Sequence, residues 1–122
     1  MDETYEFIEK AKDKLNSSKA LYEIGQYGDS VSISYYVMFL IAKGLLILKG
    51  FKPKKHSGLI HIFGKEYVKN NSFNQELFKK FIETQTLREQ ADYDATDEIN
   101  KKIANSIKLA EKFIEESNKF LK

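Results

Sequence analysis

The chain has 122 residues, a net charge of +2, no cysteine, 31% charged residues and 42% apolar residues. That suits one domain with a single core and argues against disorder. The missing thiols exclude disulfides, zinc–thiolate sites and thiol catalysis, and a charge of +2 does not by itself call for nucleic acid.

The apolar spacing is helical throughout. A first helix is expected from about Thr4 to about Ile24, where Ile8, Ala11, Leu15, Ser18 and Tyr22 recur at steps of three and four and share a face. Gly25 is the left-handed residue that ends it. A second helix is expected from about Asp29 to Lys49. Its run from Val31 to Leu48 is apolar enough to suggest a membrane span. Ser32, Ser34, Lys43 and Gly44 interrupt that run, however, and a central lysine is costly in hydrocarbon. The expectation is therefore the buried centre of a bundle, with Tyr35, Met38, Phe39, Ala42, Leu45 and Leu46 deepest. Gly50 stops the helix and Pro53 prevents its restart. Lys49, Lys52, Lys54 and Lys55 crowd that break, which reads either as a solvated loop or as a phosphate-contacting edge.

A short third helix is expected from His56 to Val68, with His56 and Ser57 as its cap. Asn70-Asn71-Ser72 is a turn with capping potential. The fourth helix should run from about Asn74 to Gln90 with Leu77, Phe78, Phe81, Ile82 and Leu87 inward. Asp92 to Thr96 is a polar break, and Thr96 or Asp94 can cap the last helix. That helix should run from about Asp97 to Phe120 on a stripe of Ile99, Ile103, Ile107, Ala110, Phe113, Ile114 and Phe120. The expected fold is one all-α domain over residues 1–122, an antiparallel up-and-down bundle of four main helices plus one short helix. The start, Met1-Asp2-Glu3-Thr4, lacks the layout of a signal peptide, so a cytoplasmic location is expected.

The chemistry-bearing residues are few. His56 and His61 lie too far round a helix from each other to make a metal pair, and neither a metal nor a cofactor is expected. Ser34 and Ser57 have no partner set for nucleophilic catalysis, and no P-loop is present. Tyr35 and Tyr36 are adjacent and so diverge: one belongs to the core, and the other can stack on a base or pack on a second subunit. Arg88 is the only arginine. It reads either as the ion-pair partner of Glu89, Asp92 or an acid on another helix, near a helix C-terminus, or as part of a phosphate-binding cleft. Asp92 and Tyr93 either shape the end of the fourth helix, with the tyrosine ring packed inward, or take a direct chemical role.

Three segments in order carry a resemblance. Gly25-Gln26-Tyr27-Gly28-Asp29-Ser30 and then Tyr35-Tyr36-Val37-Met38-Phe39 are similar to a glycine-any-tyrosine turn and a paired aromatic motif. Lys55-His56-Ser57-Gly58-Leu59-Ile60 and Phe63-Gly64-Lys65-Glu66-Tyr67-Val68 are similar to a loop and third helix. Arg88 to Tyr93 is similar to an arginine-containing segment at the end of helix four. Together, from about residue 5 to about residue 120, they resemble the HEPN domain family, in its small stand-alone prokaryotic branch (UPF0332-like).

That resemblance implies a bundle that forms homodimers, with nucleotide or RNA as ligand and no membrane. It also implies a place in toxin–antitoxin systems, often beside a minimal nucleotidyltransferase partner. In some relatives a tyrosine of the arginine motif is modified, which makes Tyr93 a candidate acceptor. Many members are metal-independent ribonucleases, in which an arginine and a histidine shortly after it converge on one RNA phosphate across a dimer interface. A guanidinium holds a phosphate by two hydrogen bonds and stabilises its extra charge in the transition state. An imidazole moves the proton of the attacking hydroxyl or the leaving oxygen.

Here Glu89-Gln90-Ala91-Asp92-Tyr93-Asp94 comes after Arg88, and Tyr93 stands where the histidine would be. A phenol, with a reference pKa of about 10, is a poor base near neutrality. The acids Glu89, Asp92 and Asp94 are expected to repel RNA phosphate and to hold Arg88 in ion pairs. The expected site places Arg88 and Tyr93 as catalytic candidates and Arg88, Asp92, Tyr93, His56 and Tyr36 as ligand-binding ones. Three functions stay open. They are a nucleotide- or RNA-associated interaction module partnered by a nucleotidyltransferase, a metal-independent endoribonuclease using Arg88, and a structural dimer without activity.

Overall fold

In the computed structural model, which describes residues 2–121, five helices succeed one another: α1 (Asp2–Glu23), α2 (Tyr27–Leu48), α3 (His56–Phe63), α4 (Gln75–Ala91) and α5 (Asp97–Ser117). No strand occurs among the described residues. The all-α bundle read from the sequence is the fold.

The α1–α2 hairpin turns at Gly25, whose φ of 84° is strained for any residue with a Cβ. Small polar side chains then set its register. Thr4 Oγ1 donates to the Gly44 carbonyl at 2.9 Å. Ser18 Oγ lies 2.6 Å from Ser34 Oγ and donates to the Ser30 carbonyl at 2.8 Å, while Ser30 Oγ donates back to the Ser18 carbonyl at 2.8 Å. All four side chains are fully buried, so each hydroxyl needs the partner it has. A Cβ on Gly44 would lie 3.2 Å from Phe7 Cβ and 3.3 Å from the Thr4 carbonyl oxygen, which is why the helices can approach so closely there.

α2 is the central helix and touches every other one. It is long and apolar enough to cross a membrane, but its apolar side chains pack on neighbouring helices. Of the residues expected deepest, Tyr35, Met38, Ala42, Leu45 and Leu46 are buried and Phe39 is half-buried. Beneath them the rings of Phe63, Phe73, Phe81 and Phe113 interlock, with centroid separations of 5.1 Å for Phe63–Phe73, 4.7 Å for Phe73–Phe113 and 5.3 Å for Phe81–Phe113. Each such side chain contributes about 1.5–3 kcal/mol by leaving water. A smaller cluster, Val31, Leu87, Ile99 and Ile103, holds the end of the bundle that carries the α1–α2 and α4–α5 turns.

Several expected details shift. Lys55, in extended conformation, is the N-cap of α3 and makes no side-chain cap bond, so neither His56 nor Ser57 caps this helix. The helix does reach Val68, but its final stretch, Gly64–Val68, widens into a π-helical turn. The Lys69 N–H bonds the Gly64 carbonyl there at 2.8 Å. Asn74, rather than the Asn70-Asn71-Ser72 turn, caps α4: its Oδ1 accepts the Leu77 N–H at 2.9 Å. Thr96 caps α5 through the Ile99 N–H at 3.2 Å. α5 ends at Ser117 and passes into a 3₁₀ turn, Asn118–Phe120, with Phe120 half-buried.

Ile82, expected inward, is 42% exposed. The buried stripe of α4 runs instead through Phe81, Thr84 and Leu87, a spacing of three that turns Ile82 outward. Thr84 tolerates burial because its hydroxyl donates to the Lys80 carbonyl at 2.7 Å. Of the four loop lysines, Lys49 donates to the Glu66 carbonyl at 2.6 Å and Lys52 pairs with Glu3 at 3.1 Å. Lys54 and Lys55 are exposed and pair with no acid among the described residues.

Candidate functional site

Arg88 lies in the last turn of α4, a position where the helix dipole favours a cation. Its side chain turns toward α2. The guanidinium carbon sits 5.2 Å from the centroid of the Tyr35 ring, within cation–π range. Nη1 donates to Gln85 Oε1 at 3.1 Å, one turn back on the same helix. Nε is the one buried side-chain nitrogen or oxygen among the described residues that lacks a hydrogen-bond partner. An unmet buried donor costs about 1–3 kcal/mol.

The expected ion pairs of Arg88 are absent: among the described residues no carboxylate lies within bonding distance of its guanidinium. Glu89, Asp92 and Asp94 are all exposed. Neighbouring positions on a helix do not face each other, which separates Glu89 from Arg88. Asp92, the C-cap of α4, keeps helical backbone angles, but its side chain is exposed while that of Arg88 turns inward over Tyr35.

Tyr35 is the floor of the site. It is 2% exposed, and its ring stacks on Phe81 at 5.1 Å with planes 25° apart. Burial pushes its phenol pKa up, while the Arg88 charge beside it pulls the other way. On the same ring, His56 approaches from the start of α3, with centroids 6.4 Å apart and planes 18° apart. His56 stacks more closely on Phe39, at 4.1 Å and 25°. Tyr35 and Phe39 are one helical turn apart on α2, so one imidazole covers both. His56 itself is exposed.

The residues chosen from the sequence thus divide. Arg88 and His56 come from different helices onto one tyrosine ring. Tyr36 is half-buried and joins from the side, 6.4 Å from Phe39 with planes 16° apart. Asp92 and Tyr93 lie beyond the end of α4. Tyr93 is 89% exposed, which corrects the inward packing expected of its ring: its backbone N–H closes the turn on the Gln90 carbonyl at 3.0 Å, and the side chain is left in water. Of the Tyr35–Tyr36 pair, Tyr35 is the core member and also the ring shared by Arg88 and His56. Phe39 and Gln85 do not stand out as site residues in the sequence. The one signal for them is the one-turn spacing of Tyr35 and Phe39, which marks an aromatic strip that a third ring can cover.

A separate open groove of about 1050 Å³ runs between α4 and α5. Lys80, Lys102, Lys108 and Lys112 line it together with Glu83 and Glu115, and it does not include Arg88. Its mixed charge singles out no ligand. The guanidinium, without an acid, marks the more specific site, because it is a fixed cation with an unmet donor.

A family model for the HEPN domain matches residues 4–120. Two proteins of Methanocaldococcus jannaschii whose names describe candidate toxins are similar to this chain. One is 45% identical over 84% of this chain and 69% of its own length; the other is 35% identical over 99% and 90%. A protein of Archaeoglobus fulgidus named a UPF0332 protein is 32% identical over 96% of this chain and 94% of its own length.

Proposed function

Because the chain belongs to the HEPN domain family, we propose that it is a phosphate-recognising module of the toxin–antitoxin kind. It binds a nucleotide or RNA through Arg88, self-associates, and is partnered by a minimal nucleotidyltransferase. The names of its relatives support the toxin context. One observation carries the reading: a buried arginine donor that, among the described residues, has no hydrogen-bond partner and no carboxylate paired with its guanidinium. A guanidinium kept free of acids keeps its affinity for anions, and its fork matches two phosphate oxygens. A purely structural role for Arg88 would lead to the opposite arrangement, an ion pair closed by Glu89 or Asp92.

A second reading, a metal-independent endoribonuclease, is favoured by the position of His56. The histidine missing after Arg88 in the chain has a counterpart in space, His56, which shares the Tyr35 ring with Arg88. In that reaction Arg88 would hold the scissile phosphate and His56 would take the proton of the attacking 2'-hydroxyl. The 2'-oxygen bonds the phosphorus to give a cyclic phosphate as the oxygen–phosphorus bond to the next nucleotide breaks, and the leaving oxygen takes its proton from water.

RNA incubated with the pure protein in EDTA tests both. Cleavage abolished in Arg88→Ala and in His56→Ala establishes the ribonuclease. Intact RNA that is retained by wild type but not by Arg88→Ala establishes the binding module. RNA neither cut nor bound overturns the assignment of the site.

A further inference from the structure

The rings beside Arg88 form a graded strip. Tyr36, Phe39 and His56 lie nearly parallel, with interplanar angles of 16° and 25° between successive rings. The strip is closed at one end and open at the other. Over Tyr36 the Lys10 ammonium sits 5.7 Å from the ring centroid. His56, at the other end, has one face on Phe39 and is itself exposed. The open end is also the end that shares a ring with Arg88: the His56 centroid lies 6.4 Å and the guanidinium carbon 5.2 Å from the centroid of Tyr35.

An exposed imidazole held flat on a phenylalanine is an unusual use of a polar side chain, because a free histidine would sample many rotamers. Pinning it flat costs side-chain entropy, and it presents a rigid aromatic face to solvent. Flat aromatic faces beside a cationic phosphate contact are the arrangement by which proteins hold single nucleotides, the base on the ring and the phosphate on the cation. Each supplies what the other lacks: Arg88 recognises any phosphate, and the ring recognises only ligands that carry a base.

We propose that His56, backed by Phe39, is a nucleobase-stacking subsite, so that the site selects nucleotides over other phosphate esters. This rests on the phosphate-binding reading of Arg88 and adds a specificity residue to it. Stacking needs only an aromatic plane, so aromatic replacements of His56 keep the subsite and aliphatic ones remove it.

The test compares adenosine 5'-monophosphate with ribose 5-phosphate, which share the phosphate and sugar and differ by the base. Titrated calorimetrically against wild type, the nucleotide should bind about tenfold tighter, the worth of one base–aromatic stack. His56→Ala should erase that advantage and leave ribose 5-phosphate unchanged. His56→Phe should keep it. Arg88→Ala should weaken both ligands alike. The chain has no tryptophan, so His56→Trp supplies a single reporter whose fluorescence should be quenched by the nucleotide and not by ribose 5-phosphate. Equal binding of the two ligands, both dependent on Arg88, overturns the stacking subsite and leaves the phosphate site standing. Binding of neither overturns the phosphate site and the subsite together.

Discussion

Arg88 on α4 and Tyr35 on α2 meet face to ring, guanidinium over phenol at 5.2 Å, with no acid among the described residues to claim the charge. The contact orients the guanidinium without neutralising it, since a ring quadrupole attracts a cation more weakly than a carboxylate does. A salt bridge in the same place would have fixed the side chain and consumed its binding capacity at once.

Replacing this arginine should separate function from stability. Arg88→Ala removes one bond to Gln85 and a ring contact, and it relieves an unmet donor. The stability change should stay within about 1 kcal/mol, while affinity for phosphate compounds falls at least tenfold, roughly the value of a charge-assisted pair. Arg88→Lys should not restore full affinity, because a point charge cannot reproduce the fork. Thermal denaturation and calorimetric titration of the two variants give both numbers. A large loss of stability with unchanged phosphate affinity would make Arg88 a scaffold residue.

Much of the fold was legible because its signals are local. Gly25 ends α1, Thr96 opens α5, and the isoleucine stripe of α5 states its own period. The site was legible only in part. Arg88 and His56 could be picked out by residue type, but their meeting depends on how α3 and α4 rotate about α2. The acids after Arg88 misled for a related reason. Asp92 is one turn on and still helical in backbone, yet the Arg88 side chain turns inward to Tyr35 and Gln85 and leaves Asp92 exposed. Proximity in the chain suggested an ion pair that the inward turn of Arg88 removes.

The rotation of α4 can itself be checked. Ile82 and Phe81 are adjacent and both apolar, but only Phe81 is buried. Ile82→Lys should change stability by no more than about 0.5 kcal/mol. Phe81→Ala should cost about 3–5 kcal/mol, since it opens a cavity beneath Tyr35 and Phe113. Urea denaturation of the pair decides it, and equal costs would mean that α4 is rotated differently.

The serine cluster between α1 and α2 makes a sharper claim than its size suggests. Ser18 accepts or donates to both Ser30 and Ser34, and no water is needed to satisfy the group. Ser18→Ala leaves the buried Ser34 hydroxyl short of a partner, while Ser30 keeps its bond to the backbone carbonyl at position 18, and should cost about 1–3 kcal/mol. Ser17→Ala, exposed one residue away, should be close to silent. Chemical denaturation of both variants measures the contrast, and a silent Ser18→Ala would show that the cluster is not sealed.

Tyr93 offers a test of the proposed nucleotidyltransferase partner. At 89% exposed on a turn, its hydroxyl is open to a second enzyme's active site. In adenylyl transfer from ATP that oxygen would bond the α-phosphorus, pyrophosphate would leave, and the phenol proton would pass to solvent. Incubation with a candidate partner and ATP should add one adenylyl group to wild type and none to Tyr93→Phe, as read by intact-mass spectrometry and peptide mapping. Unmodified wild type with a partner active on another substrate would remove Tyr93 from the proposal.

Tyr67 predicts how the fold responds to alkali. Its hydroxyl donates to the Leu45 carbonyl, and its ring lies under the Lys49 ammonium at 4.3 Å. Burial, with a smaller push from Glu66, raises its pKa to about 12, whereas an unfolded tyrosine titrates near 10. Between those values the folded state keeps a proton that the unfolded state gives up. Unfolding therefore becomes easier as pH rises. The stabilisation is complete below about pH 10 and is lost progressively toward pH 12. Tyr67→Phe removes the titrating group, so its stability should fall less steeply across that window, from a lower start because the hydrogen bond to Leu45 is gone. Urea midpoints taken from pH 9 upward, alongside tyrosinate absorbance, measure both slopes. Parallel curves for the two proteins would place the alkaline sensitivity at another group, with Tyr35 the first to examine, since burial raises it in the same direction.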